Sequence, residues 1–418
     1  MTRPVVITGL GVVSAGGIGI EQTWRTIEAD PPCAELVELP SARPEDGKFK
    51  VFMAPDYRLA DVTETYVDGA QLEREGIDRQ RDIKHLVAAA GLAIDDAGLR
   101  SFPDLDLREV GLVVADEHPG VERLARTLYG AVADDATTAQ ADYTDLSEQI
   151  FALNTFLAPY LVARALHIGG ECGFVNSACT SGLTAIDNAA TQIRLGRNPL
   201  AIAVASDDPL SSGKFRWFAD MHLYATDGVP RPFDPAASGT VFGDGGAAVV
   251  LEDEEHARRR GARIYGRLRG AGFTQDGWRV SAPNPASANQ ERSIRRALRE
   301  AALDPEHVDV VVPHGTGIRM IDTYEARTIR RLWPDRGRQP VCLPLKPYVG
   351  HNLGGSSLLE TALLLKAMAE RRVPGTPGAG SAHGLDLPTA WESRHIRYAV
   401  KSAVGFGGFY GAIVLESI

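Results

Sequence analysis

Cysteine is scarce: there are four in 418 residues, none paired at a metal-ligand spacing. Cys33, Cys172, Cys179 and Cys342 form neither a zinc pattern nor the close-set framework of a disulfide-stapled secreted domain. Long apolar runs are also missing. Gly, Pro or charge interrupts every hydrophobic stretch before membrane-spanning length, so no membrane segment is expected. The N-terminus lacks a secretory pattern; Met1-Thr2-Arg3-Pro4 leads into an apolar segment that reads as a first strand and turn. These absences point to a reducing, cytoplasmic setting, with Cys172 structural. An excess of basic residues is absent too. The formal net charge of −10 argues against nucleic acid as a partner. The run Arg258-Arg259-Arg260 follows four acidic residues and reads as a solvated helix face. No linker, low-complexity tail or extra fused domain stands out, and a stand-alone subunit is expected.

What is present is an internal echo. Arg108-Glu109-Val110-Gly111-Leu112-Val113-Val114 resembles Val308-Asp309-Val310-Val311-Val312, and each follows a helical phrase ending in Leu99 or Leu303. Gly245-Gly246-Ala247-Ala248-Val249-Val250-Leu251-Glu252 parallels Gly408-Phe409-Tyr410-Gly411-Ala412-Ile413-Val414-Leu415-Glu416. The apolar runs lack strict alternation, as strands buried on both faces do. Helical stretches separate several of them. An α/β architecture from two duplicated halves is expected, with residues 1–254 in the first half and 255–418 in the second.

Chemistry concentrates in three segments. Val175-Asn176-Ser177-Ala178-Cys179-Thr180-Ser181-Gly182 carries a cysteine into an apolar helical run, where free N–H groups and the helix dipole favour a thiolate. His314-Gly315-Thr316-Gly317, with Asp322 and Glu325 downstream, and Lys346-Pro347-Tyr348-Val349-Gly350-His351 each put a histidine on a glycine-rich turn. With Val5-Val6-Ile7-Thr8-Gly9-Leu10-Gly11-Val12-Val13-Ser14, Arg231-Pro232-Phe233-Asp234, Gly243-Asp244-Gly245-Gly246 and Gly405-Phe406-Gly407-Gly408, the chain resembles a β-ketoacyl-acyl carrier protein synthase of the thiolase superfamily along its full length.

The resemblance implies a five-layered α-β-α-β-α thiolase fold. It implies Cys179 as nucleophile, and His314 and His351 as donors to an enolate or oxyanion. The backbone N–H groups of Cys179 and Phe406 would form the oxyanion hole. Lys346 and Glu325 would support the histidines, and an ion pair between the two is expected. Thr316, Thr240, Val404, Gly405, Gly407 and Phe409 would meet substrate. No metal and no resident cofactor are implied; the substrate arrives on the phosphopantetheine of an acyl carrier protein. A homodimer, or pairing with a homologous ketosynthase subunit, is implied, with residues 128–160 contributing to that contact. An acidic carrier protein would need a local basic patch; Arg194 with Arg197, or Lys214 with Arg216, are the candidates.

Several positions depart from the family pattern. Ile318 replaces a threonine, Ala237-Ser238-Gly239-Thr240 replaces Arg-Asp-Gly-Phe, Val404 replaces a phenylalanine, and Phe409-Tyr410 replaces a polar pair. These changes suit a specialised natural-product enzyme. Intermolecular condensation and an intramolecular aldol closure with β-lactone-forming release both remain open. A non-catalytic partner subunit is disfavoured by the retained Cys179, His314, His351 and Lys346. A dinucleotide site at Gly9-Leu10-Gly11-Val12-Val13-Ser14 is disfavoured because Ser14 stands where a third glycine is needed; a tight turn after the first strand is expected there.

Overall fold

The computed structural model describes residues 3–39, 47–74, 77–78, 80–102, 105–117, 153–210, 212–377 and 383–418. Ten strands carry the architecture. In the first half these are β1 (Val5–Ser14), β2 (Gly111–Ala115), β3 (Cys172–Val175), β4 (Leu200–Asp207) and β5 (Gly245–Asp253). In the second they are β6 (Gly266–Gln275), β7 (Val310–Val312), β8 (Val341–Cys342), β9 (Tyr398–Gly405) and β10 (Phe409–Glu416). The sheet order is β8-β7-β9-β10-β6-β1-β5-β4-β2-β3, which is symmetric about the β6/β1 pair. Directions repeat as well. In each half the first strand pairs antiparallel with the fifth, the fifth antiparallel with the fourth, and the remaining pairs are parallel. Among the described residues, only Val5–Ile7 against Gly266–Leu268 joins the two halves of the sheet.

Helices fill the faces. Helices α1 (Arg81–Asp96) and α2 (Leu157–Leu166) cover the outer face of the first half. Helices α4 (Asn289–Glu300) and α5 (Arg319–Leu332) cover that of the second. Between the halves lie α3 (Ser181–Arg194) and α6 (Leu353–Glu370). Helix α6 is buried from Leu353 to Met368, as an element apolar all round must be. The result is the expected α-β-α-β-α layering. A methyl on Gly182 of α3 would come within 2.6 Å of the Leu358 nitrogen of α6, so these two helices touch backbone to backbone.

The glycines of the first segment lie inside β1, not in a turn beyond it. A methyl at Gly9 or Gly11 would overlap the carbonyl oxygens of Ala93 and Ala89 on α1. Gly270 and Gly272 of β6 stand in the same relation to Ala297 and Ser293 of α4. The phosphate-binding look of the motif is therefore a helix-packing device, used twice. Gly11→Ala should lower the free energy of unfolding by about 1–3 kcal/mol, the usual cost of overpacking. Urea denaturation checks this, and an unchanged midpoint would refute it.

Residues 128–152 of the excursion lie outside the described residues. Its apolar end forms α2, with Ala158, Leu161 and Val162 buried against α1 and Tyr160 half exposed. Cys172 opens edge strand β3 and is exposed, so the expected structural role has no packing to rest on. Arg258 and Arg259 pair with Glu254 and Glu255 on the surface as expected, but Arg260 is buried against Glu252. Among the described residues no helix is long and apolar enough to cross a membrane.

Candidate active site

The three chemical segments meet where α3 and α6 begin. Cys179 stands two residues before α3 and His351 two residues before α6. The Cys179 sulfur and His351 Nε2 are 3.5 Å apart. The His314 and His351 rings are 5.2 Å apart, centroid to centroid, and nearly perpendicular at 83°. All three side chains are buried.

Local hydrogen bonds shape the cysteine turn. Ala178 has φ 51°, costly for a residue with a Cβ. The turn is pinned on both sides. The Ser181 hydroxyl donates to the Ala178 carbonyl at 2.6 Å and accepts from the Ser177 N–H at 2.8 Å. The Thr180 hydroxyl donates to the Ser177 carbonyl at 2.7 Å. At Gly405 a methyl would lie 3.3 Å from the Cys179 nitrogen, so the Gly405–Phe406 turn abuts the cysteine backbone.

The histidine loops are gripped by buried charges. Glu325 accepts the N–H groups of His314 and Gly315, both at 2.8 Å, and the Gln290 amide at 2.7 Å. Asp322 accepts from Thr316 and Gly317, and from Phe233 of the Arg231–Asp234 motif, tying that motif to the loop. Burial pushes Asp322 up to about 7. Lys346 does not meet Glu325. Its ammonium donates to the His314 carbonyl at 2.6 Å and to Glu360 of α6 at 3.0 Å. The expected ion pair is thus replaced: Glu325 already spends its oxygens on backbone N–H groups, and Glu360 faces the lysine from the central layer.

Electrostatics differ from the expected thiolate. Burial, then the charge of Glu117, pushes the Cys179 thiol well above its ordinary range, while Lys346 pulls it down. Glu117 is itself raised to about 8 by burial and by Asp207. Both imidazoles are held well below their usual value by burial and then by Lys346, with Lys401 adding to both. They are neutral near pH 7, the form that both donates and accepts.

Among the described residues, the cavity over the sulfur is lined by His314, His351, Thr316, Val404, Gly405 and Phe406, and closed by Phe218, Ile318, Ile321 and the Ser281–Pro283 stretch. Its free volume is about 10 Å³, room for about one water. Thr240, Gly407 and Phe409 are not brought to this lining. Thr240 is fully buried behind it, bound through its backbone to Leu223 and Ala225. Gly407 is turned away, its N–H on the Val280 carbonyl, and Phe409 is 37% exposed. The basic candidates are paired as well: Arg194 with Asp187 and Glu300, Arg197 with Glu171, Lys214 with buried Asp207, and Arg216 with Asp220. The sequence reading missed Glu360, Lys401, Glu117 and Phe218. For Lys401 a signal existed, a charge inside the apolar run 399–404.

Cys179, His314 and His351 offer donor atoms within 4.8 Å of one another, the one such metal-capable group among the described residues. The positive charge of Lys346 and Lys401 that depresses the imidazoles also opposes a dication there.

Two family descriptions match the chain, "Beta-ketoacyl synthase, N-terminal domain" over residues 2–257 and "Beta-ketoacyl synthase, C-terminal domain" over 265–379. The chain belongs to the β-ketoacyl synthase family. This family comprises acyltransferase-type enzymes of the thiolase superfamily. One β-ketoacyl synthase relative, β-ketoacyl synthase 1 of the actinorhodin polyketide from Streptomyces coelicolor, is 30% identical, with 100% of this chain and 89% of the relative covered. Another, 3-oxoacyl-[acyl-carrier-protein] synthase 2 of Rhizobium meliloti, is 27% identical over 99% of each. The solved ishigamide ketosynthase/chain length factor aligns over the whole of both chains with TM-score 0.85 and 25% identity. A type II ketosynthase in complex with its acyl-carrier protein shares the fold at TM-score 0.82 and 24% identity, again over both full chains.

Proposed function

We propose that this β-ketoacyl synthase is itself catalytic. It takes an acyl group from a carrier-protein thioester onto Cys179 and then forms a carbon–carbon bond in polyketide or related natural-product synthesis. The observation that carries the proposal is the buried convergence of the Cys179 sulfur on two neutral imidazoles, with the cysteine and Gly405–Phe406 backbones abutting. A non-catalytic partner would have no use for that set.

The chemistry follows from the groups present. Once the Cys179 thiol has given up its proton, the thiolate attacks the thioester carbonyl, and the N–H groups of Cys179 and Phe406 receive the developing oxyanion. Collapse expels the carrier thiol, which recovers the proton. In the second half-reaction a malonyl-type thioester loses carbon dioxide. His314 and His351 donate hydrogen bonds to the enolate oxygen. The enolate carbon then attacks the Cys179 thioester, and the sulfur leaves. No resident cofactor enters; the substrates ride on phosphopantetheine of a carrier protein, in the cytoplasm.

The ketosynthase/chain length factor pair and the carrier-bound ketosynthase among the structural neighbours support a carrier protein as partner and a homodimer or homologous subunit as assembly. The repeated strand order supports a junction of the two halves at 254/255. A second reading, intramolecular aldol closure with β-lactone-forming release, uses the same cysteine and imidazoles, and the replacement of an expected aromatic by Val404 on the cavity lining supports it.

Replacing either His314 or His351 by Ala should slow turnover by on the order of 10²-fold or more, the cost of one lost oxyanion donor. Loading should fall less. Intact-mass analysis of acylated protein, paired with single-turnover product analysis, checks both. Loading lost with later steps intact would reverse the roles assigned here. Products from one substrate alone would select the cyclisation reading.

A further inference from the structure

Lys401 stands in the middle of β9, between β7 and β10, with no exposed surface. A lysine in such a place has to find an anion or lose its proton. It finds Glu360, already the partner of Lys346. Lys401 Nζ lies 2.8 Å from Glu360 Oε2, and Lys346 Nζ lies 3.0 Å from the same oxygen. The two lysines also hold successive carbonyls: Lys401 donates to Pro313 at 2.9 Å and Lys346 to His314 at 2.6 Å. From the other side Glu325 takes the N–H groups of His314 and Gly315. Four consecutive backbone groups around His314 are thereby fixed by three buried charged side chains.

We propose that Lys401 is a second positioning lysine of the acyl-transfer site, fixing the His314 loop through Pro313 and, by its charge, keeping both imidazoles neutral and supporting negative charge that develops between them. This rests on the roles given to His314 and His351 above. One lysine balances Glu360. The second leaves positive charge directed at the imidazoles, and Lys401 indeed helps depress both of them.

The charged and titratable groups facing Lys401 are Glu360 from α6, Lys346 from the Lys346–Val349 turn, Glu325 from α5, and the two imidazoles. Burial lowers Lys401 to about 8, with Glu360 opposing and Lys346 adding. Below that pH the ammonium is present; above it the charge is lost, and with it the support for an enolate.

The test combines a titration with a rate profile. In Lys401→Met, the His314 and His351 imidazoles, followed by NMR of histidine-labelled protein, should titrate about one pH unit higher than in the wild type. The step after loading should slow at least about tenfold at pH 7, on the order of one lost electrostatic contribution. In the wild type that step should fall above pH 8. Lys401→Arg, which stays charged, should restore the neutral-pH rate and remove the alkaline fall. Imidazoles unmoved in Lys401→Met, or an alkaline fall that survives in Lys401→Arg, would overturn the proposal. Should Lys401→Met fail to fold, the arginine profile decides alone. Failure of the wild type to acylate Cys179 would count against the enzymatic reading, while the imidazole titration would still judge Lys401.

Discussion

Cys179→Ala should fold normally and carry no acyl group after incubation with carrier-bound thioesters. Among the described residues the sulfur has one side-chain hydrogen-bond partner, His351, and it sits in a turn pinned by Ser177, Thr180 and Ser181 rather than by itself. Loss of one buried sulfur costs on the order of 1 kcal/mol, with alanine filling most of the site. Covalent loading, by contrast, has no other route among the buried groups, since neither imidazole nor lysine stands where the sulfur does. The same geometry sets a pH dependence for the wild type. Burial holds the thiol protonated at neutral pH, so the loading rate should rise with pH as the thiolate fraction grows. Intact mass after quench, at a series of pH values, measures both. Undiminished acylation of the alanine protein, or loading independent of pH between 6 and 9, would refute this account (the pH range being chosen around the ordinary thiol value of about 8.5).

Glu360→Gln should be strongly destabilising for so conservative a change. The carboxylate is 1% exposed in its side chain and lies between two ammonium groups that are equally buried. Glutamine keeps the shape but strands both cations, and breaking a buried pair in this way costs about 3–5 kcal/mol. The pH sign follows from Lys401. Its folded value, about 8, is below the ordinary lysine value, so between the two the unfolded chain binds more protons and stability rises with pH. Without Glu360 that depression deepens, and the deficit should narrow between pH 7 and pH 9 as Lys401 sheds its proton. Urea denaturation at the two pH values checks this. A loss under about 1 kcal/mol at pH 7 would mean the lysines do not depend on Glu360 for their charge.

The sequence made the fold legible because the duplication is written in short apolar phrases that recur in order. It made the nucleophile and both histidines legible because each lies on a glycine-rich or small-residue turn that needs a reason. The partners were less legible. Lys346 and Glu325 each sit near a catalytic histidine along the chain, and proximity suggested a pair. In three dimensions Glu325 turns to backbone N–H groups, and the anion for Lys346 comes from the buried face of α6. Thr240 and Phe409 were read as walls from the residues they replace, but the backbone at 239–240 packs one layer behind the cavity and Phe409 points outward. The thiol's raised value comes first from burial and then from Glu117 and Asp207, which arrive from the ends of β2 and β4, and no local pattern announces them. Lys401 was readable in principle: a charge in a fully buried strand is an anomaly that asks for a partner.

The sulfur and the imidazole that faces it occupy equivalent places in the two halves, each two residues ahead of a central helix. Their separation is therefore an interhelical distance, set where Gly182 of one helix meets Leu358 of the other. A segment of the first half reinforces it, since the His351 N–H donates to the Val241 carbonyl and the His351 carbonyl accepts from Gly243. The reactive geometry belongs to the seam between the duplicated units, and it lasts as long as those units stay joined.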